Sequence, residues 1–199
     1  MLKQVNTKNI FFLSDTHFGH RNILNHDRKT RRGFKSIQEH DKYIVEQHNL
    51  IVGPNDPVFI IGDVAFRSNI YETESLLSRM NGELTLVVGN HEQDVLKNSN
   101  LRNLFVDIFD YLELSVEDPD VDGGRQGITL FHYPIFEWNK IHHGWWHLYG
   151  HTHGNSDYDK LIQPFRRSLN VGVHLNHMKP FGYEQVKEIM LKKPIVSHH

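Results

Sequence analysis

Asn9-Ile10-Phe11-Phe12-Leu13-Ser14-Asp15-Thr16-His17-Phe18-Gly19 decides how the rest of the chain is read. Its unbroken apolar run, bounded by polar residues, describes a short strand buried on both faces. The run stops at Ser14, and a carboxylate and an imidazole follow at once. A buried strand whose carboxyl end opens on polar side chains is how an open α/β sheet presents chemistry.

Working outward, Ser36 to Val52 carries Ile37, Tyr43, Ile44, Leu50 and Ile51 near helical spacing, with Ser36 as N-cap and Glu39 three residues on. Gly53-Pro54 ends that helix. Pro57 to Ile61 reads as a strand, Asn69 to Met80 as a helix and Leu84 to Val88 as a strand. The result is a βαβαβ pattern with a largely parallel sheet. In the second half, Val106 to Val116 and Gln126 to Phe131 read as antiparallel strands joined by a turn at Asp122-Gly123-Gly124. Strands at Trp146 to Tyr149 and Ser168 to Val173 and a helix at Tyr183 to Leu191 complete the pattern. With no internal repeat or low-complexity linker, residues 1–199 are expected to form one sandwich-like α/β domain.

A chain of 199 residues buries roughly 70% of its unfolded surface and folds without needing a staple. The formal charge of -2 supplies no global drive towards nucleic acid or anionic membrane. Without cysteine there is no disulfide, thiolate nucleophile or iron-sulfur cluster, so any metal must sit on nitrogen and oxygen. No segment approaches the ~18 apolar residues of a membrane span, and the apolar run near the amino terminus is too short for a signal peptide. A cytoplasmic protein is therefore expected. His198 and His199 resemble the stub of a purification tag and are set aside.

Five polar clusters stand where strands are expected to end: Asp15-Thr16-His17, Gly62-Asp63, Gly89-Asn90-His91, His132 and Gly150-His151-Thr152-His153. Carboxylates that bridge cations, neutral imidazoles and an amide oxygen are the donors of a binuclear site for divalent ions. On extended backbone, residues at i and i+2 point the same way, so Asp15 with His17, and His151 with His153, are each expected to aim into one cavity. A lone Asp-x-His, a lone His or a glycine before a turn is more often an ordinary loop residue; five such clusters in this order are not.

The order Asp-x-His, Gly-Asp, Gly-Asn-His, His, Gly-His-Thr-His resembles the full signature of calcineurin-like metallophosphoesterases, and it spans positions 15 to 153. The string SDTHFGHRNIL, with LNVGV at 169 to 173, is similar to compact bacterial and phage members. The resemblance implies a β-sandwich of mixed sheets flanked by helices, in four α/β/β/α layers. It implies that Asp15, His17 and His153 bind one metal, that Asn90, His132 and His151 bind a second, and that Asp63 bridges them. His91 would be the catalytic histidine, with Asn90 and Asp63 beside it.

Three features stand apart from the family pattern. Glu92 replaces the usual aspartate of Gly-Asn-His-Asp, Phe66 stands where purple acid phosphatases carry a metal-binding tyrosine, and His174 follows LNVGV where an acid is common. Lacking that phenolate, the site is expected to take two divalent ions, Mn²⁺ first, with Fe²⁺, Zn²⁺ or Ni²⁺ as alternatives.

The implied activity is hydrolysis of phosphate esters through a metal-bridging hydroxide, most favourably phosphodiesters of nucleotide type, with His91 protonating the leaving alkoxide. A phosphomonoesterase or protein phosphatase is the alternative within the enzyme class, and a non-catalytic scaffold the alternative outside it. The expected partner is a small phosphate ester or nucleotide, with nucleic-acid ends as a further option and no membrane. His20, Arg21 and Asn22 are candidate substrate contacts. Arg21, Arg28, Lys29, Arg31, Arg32 and Lys35 form a basic stretch that would grip phosphate or simply be solvated. Trp138, Trp145, Trp146 and Tyr149 would stack on a base or, more ordinarily, pack in the core.

Overall fold

The computed structural model describes residues 1–26, 31 and 33–197. Arg28, Lys29 and Arg32 of the basic stretch, and His198 and His199, lie outside the described residues.

Among the described residues, ten strands form two five-stranded sheets. One sheet runs in the order β10-β2-β3-β4-β5, built from β10 (Phe181–Gly182), β2 (Phe11–Leu13), β3 (Pro57–Ile61), β4 (Glu83–Val87) and β5 (Asp107–Phe109). Strands β2 to β5 are mutually parallel and β10 joins antiparallel to β2. The other runs β1-β6-β7-β8-β9, from β1 (Leu2–Val5), β6 (Leu112–Glu117), β7 (Arg125–Leu130), β8 (Trp146–Tyr149) and β9 (Ser168–Asn170). It is mixed: β6 and β7 are antiparallel, whereas β7, β8 and β9 run parallel.

The first apolar core lies between the sheets, where Phe12, Phe59, Ile61 and Val87 meet Leu112, Leu114, Val116, Ile128, Leu130, Trp146 and Leu148. Each fully buried side chain of this size contributes roughly 1.5–3 kcal/mol. The second lies under the helices α2 (Ile37–Asn49), α3 (Ile70–Leu77), α4 (Gln93–Lys97) and α5 (Ser99–Arg102), where Phe11, Leu13, Val58, Ile60 and Leu86 take Ile44, Val45, Leu77, Val95 and Leu101. A further helix, α6 (Tyr183–Leu191), places Val186 and Met190 in the inter-sheet core, and a short turn of helix, α1 (Ile23–His26), follows the first polar motif. Two sheets flanked by helices are the architecture the resemblance implied.

Ser36 caps α2 as expected, accepting from Glu39 N at 3.1 Å, but the Glu39 carboxylate reaches Lys35 N rather than the cap residue itself. One expectation fails. Residues 106–116 are not one strand: Asp110-Tyr111 break the run, so that β5 ends the first sheet and β6 enters the second. β8 and β9, whose direction the sequence left open, continue parallel to β7. β1 was not read at all, since its mostly exposed residues carry no buried stripe.

The sheets are stitched where LNVGV crosses from one to the other. Ser14 N donates to Val171 O and Val173 N to Ser14 O, directly under the carboxyl end of β2.

Candidate metal centre

All five polar clusters lie at one end of the sandwich. Asp15 and His17 follow β2, Asp63 follows β3, Asn90 and His91 follow β4, His132 follows β7, and His151 and His153 follow β8. Because β2, β3 and β4 run parallel, as do β7 and β8, their carboxyl ends open on the same crevice.

The side chains form two groups, Asp15-His17-His153 and Asp63-His132-His151, in each of which the donor atoms lie within 4.8 Å of one another. In the first, His17 Nε2 and His153 Nε2 are 3.2 Å apart, and they stand 3.8 and 3.6 Å from Asp15 Oδ1. In the second, His132 Nε2 is 3.4 Å from Asp63 Oδ1. Asn90 Oδ1 lies between the rings, 3.1 Å from His132 Nε2 and 2.9 Å from His151 Nδ1. Asp63 touches both groups, since its Oδ2 is 3.6 Å from His17 Nε2. His91 Nε2 stands 3.9 Å from the same oxygen, on a side chain that keeps 31% of its surface exposed.

The backbone explains the convergence differently from the sequence. Asp15, His17, Asp63, His151 and His153 all have positive φ, between 50° and 67°. Left-handed backbone is uncommon for such residues and costs of the order of 1–3 kcal/mol at each. Each pair therefore converges through left-handed turns, not through the alternation of an extended strand. The turns are braced: Asp15 accepts from Ser14 Oγ at 2.6 Å and His151 N at 3.1 Å, and Asp63 accepts from His91 N at 3.1 Å. Asn170 Nδ2 donates to Thr152 Oγ1 at 2.9 Å, which ties LNVGV to the Gly-His-Thr-His turn.

Glycines bring the loops together. A Cβ on Gly62 would lie 2.3 Å from His132 Nδ1, and one on Gly89 would lie 2.7 Å from Asp63 Oδ1. His132 Nδ1 is 2.8 Å from Ile61 O, a contact that keeps a proton on Nδ1 and turns Nε2 inward, where a metal would replace the second proton.

The electrostatics suit cation binding. Burial, helped by His153 and Arg31, keeps the His17 imidazole well below its usual value, hence neutral. Burial and then His132 lower His151 as well. Burial also pulls His132 down, but its hydrogen bond to Asp63 and the field of Asp15 outweigh this and hold it at about 9. A metal ion competes with that proton for the same donors. An oxygen and imidazole donor set without thiolate, with the His132 ring oriented from behind by Ile61 O, fits divalent first-row ions.

The residues left open by the sequence find places. Glu92 turns its carboxylate to the backbone: it is buried beneath the loops, accepting from Val64 N at 2.8 Å and Gly89 N at 2.6 Å, and burial raises its carboxyl to about 7. The longer carboxylate ties the Asp63 loop to the Asn90 loop. Phe66 packs 4.2 Å from His91 and 4.6 Å from His20, ring centre to ring centre. His174 stacks at 5.1 Å behind His153. His20 reaches the site, 5.5 Å from the His17 ring, whereas Arg21 and Asn22 are exposed at its edge.

Arg31 is not a solvated side chain. It is fully buried, donating to Asp15 O at 2.6 Å and Thr16 O at 3.5 Å, with a further contact to His40 Nε2 at 2.5 Å. His40 Nδ1 meets Asp41 Oδ1 at 2.7 Å, and Asp41 Oδ2 accepts from Gly19 N at 2.8 Å. Spacing alone gave no sign of this brace, because a basic residue in a basic stretch looks solvated. Lys35 is exposed. Trp138, Trp146 and Tyr149 are buried and Trp145 lies on Gly127, so the tryptophan group packs instead of stacking on ligand.

Among the described residues no helix is long and apolar enough to cross a membrane. The chain is similar to an uncharacterized protein of Methanocaldococcus jannaschii, 27% identical over 191 residues and covering 95% of each chain. It is also similar to the gene 66 protein of Mycobacterium phage L5, 26% identical over 184 residues, covering 83% of this chain and 86% of that protein. Among solved structures, a protein of unknown function from Aquifex aeolicus superposes with a TM-score of 0.67 at 26% identity, covering 90% of this chain and 98% of the other. Residues 8–196 match the calcineurin-like phosphoesterase family. With the fold, the donor set and that match in agreement, the chain belongs to the calcineurin-like phosphoesterases and is a metal-dependent hydrolase of phosphate esters.

Proposed function

We propose that this chain, acting as a single domain, hydrolyses phosphodiesters of nucleotide type at a binuclear centre. The observation that carries the proposal is Asp63, whose two oxygens face different donor groups, 3.4 Å from His132 and 3.6 Å from His17. Asp15, His17 and His153 would hold one ion, Asn90, His132 and His151 the other, and Asp63 both. Mn²⁺ is the favoured metal, ahead of Fe²⁺, Zn²⁺ and Ni²⁺. Bound divalent ions supply Lewis-acid charge and a water of lowered pKa.

The chain's own groups supply the rest. Asn90 fixes the two imidazoles between which its carbonyl oxygen lies. His91, with its ring against Phe66 and its backbone N–H on Asp63, would donate a proton from Nε2 to the departing alkoxide. Preference for a diester over a monoester rests on charge. Among the described residues, Arg31 is a buried guanidinium beside the ligands whose contacts run to Asp15 O, Thr16 O and His40, and a substrate carrying one negative charge suits that arrangement better than one carrying two. His20 is retained as a substrate contact.

Replacing His91 tests the acid role. His91→Ala is expected to lower turnover of an alkyl diester by roughly 10²- to 10⁴-fold, and that of bis(p-nitrophenyl) phosphate much less, because its leaving group needs no proton. Equal losses on the two esters would refute proton donation.

A further inference from the structure

The aromatic surface that a nucleotide would use is not the tryptophan group but a short strip leading out of the metal centre. Tyr133 follows His132 directly, and its ring centre lies 4.7 Å from that of His151 and 5.1 Å from that of His132. Phe131, two residues back on the continuation of β7, is 5.5 Å from Tyr133. Tyr111 is 6.2 Å from Phe131, because the Leu112–Leu130 pairing of β6 and β7 sets the preceding and following residues side by side. Leu112 and Leu130 point into the inter-sheet core, so Tyr111 and Phe131 face the other way. All three rings are only partly buried. By contrast, Trp146 and Tyr149 are wholly buried, and Trp145 lies so close over Gly127 that a Cβ there would overlap the indole.

The strip has a polarity. Its inner end abuts two histidines of the proposed metal centre. Its outer end is acidic: Tyr111 Oη donates to Glu113 Oε1 at 2.9 Å, and Asp110 beside it is exposed. Aromatic rings at one end favour a base, and carboxylates at the other repel a further phosphate.

We infer that Tyr133 and Phe131 form the subsite for the nucleobase of a short nucleotide ester whose phosphate sits at the metal centre, and that Glu113 and Asp110 confine the substrate to one or two nucleosides. This rests on the proposed diesterase activity and narrows it: a base stacks on Tyr133 beside His151, and a long strand is disfavoured because its next phosphate would meet the carboxylates. The rings are mutually tilted, at 57° and 60°, so each offers its own face, not one continuous platform.

The experiment compares kcat/KM for thymidine 5′-(p-nitrophenyl) phosphate with that for methyl p-nitrophenyl phosphate on the metal-loaded protein. The two share a leaving group, so their ratio reads the base subsite and cancels any general damage. Wild type is expected to prefer the nucleoside ester. Tyr133→Leu should lower the ratio by about 5- to 150-fold, the range that stacking of one base corresponds to, while Tyr133→Phe restores it. Phe131→Leu should lower it less, and serves if Tyr133→Leu fails to fold. An unchanged ratio in a folded leucine variant would overturn the inference while leaving the diesterase proposal standing.

If wild type cleaves neither ester, the diesterase proposal itself falls. Calorimetric titration with thymidine 5′-monophosphate against methyl phosphate then still reads the strip: tighter nucleotide binding, weakened by Tyr133→Leu, supports it, and equal affinities overturn it. Faster cleavage of a long oligothymidylate than of a dinucleotide would refute the confinement by Glu113 and Asp110.

Discussion

The two ends of the sandwich each bury charge, and they do so in opposite ways. At the end remote from the site, fully buried Asp118 is met by Lys8 Nζ at 2.8 Å, Lys187 Nζ at 2.7 Å and Tyr183 Oη at 2.7 Å. Burial pushes its carboxyl up, but Lys187 and Lys8 outweigh this and hold it far below the usual range. No residue of that nest has a left-handed backbone among the described residues. At the other end, Asp15 and Asp63 face imidazole nitrogens, and five of the seven proposed ligands sit at positive φ. One nest brings its own cations and relaxed turns. The other spends backbone strain to aim lone pairs at common points, which is what a site for added cations requires.

The comparison can be broken at either end. Asp63→Asn should have the largest effect, removing bound metal and hydrolysis together, the latter by about 10³-fold or more, because several kcal/mol of charge stabilisation depend on the ions. Metal counted per chain by plasma emission spectroscopy checks it, and a variant that keeps both ions and its activity would contradict the bridging role.

Asp118→Ala should act on stability alone. Removing one partner of a buried ion pair costs about 3–5 kcal/mol, near the lower end here because Asp120 remains within reach of Lys8 and Lys187. Thermal denaturation should show a midpoint about 6 to 12 °C lower, with metal content per folded chain retained.

A third imidazole separates burial from metal binding. His147 lies outside both nests, and burial lowers its pKa to about 4. An unfolded histidine titrates near 6.5. Between those values the unfolded chain binds a proton that the folded one does not, so this contribution is complete above about 6.5 and is lost as pH falls towards 4. From pH 7 to pH 5 it should cost about 2 kcal/mol. Urea denaturation of wild type and His147→Gln at both pH values should show a smaller acid loss in the variant.

The smallest effect is the most diagnostic of positioning. Arg31→Lys keeps the buried charge but not the fork that spans Asp15 O and Thr16 O. Metal affinity should weaken by about 10-fold, the low end for groups that orient ligands from behind. A calorimetric Kd equal to that of wild type would show that Arg31 only fills space.

Much of this was legible in the residues. Pro57–Ile61, Trp146–Tyr149 and Tyr183–Leu191 match their expected bounds because apolar runs with polar or breaking residues at each end leave little choice. The proposed ligands were legible because acids, amides and imidazoles at strand ends have few reasons to recur in order. What could not be read was three-dimensional. Nothing in Val106 to Val116 marks the passage from one sheet to the other at Asp110-Tyr111. The rule that i and i+2 share a face brought Asp15 to His17 by the wrong geometry, since left-handed turns at non-glycine residues leave no trace in composition. Arg31 looked like solvated charge because burial is decided by tertiary packing.

The crossing at Ser14, where Val171 and Val173 join the two sheets, bears on how the protein matures. The site's partners are remote, with His17 and His153 separated by 136 positions. Contacts of such range form late, after loop-closure entropy has been overcome. A nascent chain therefore presents no finished cage for an ion until residues 151–153 have come against the end of β2, so metal loading is expected late in folding, as a report on its completion.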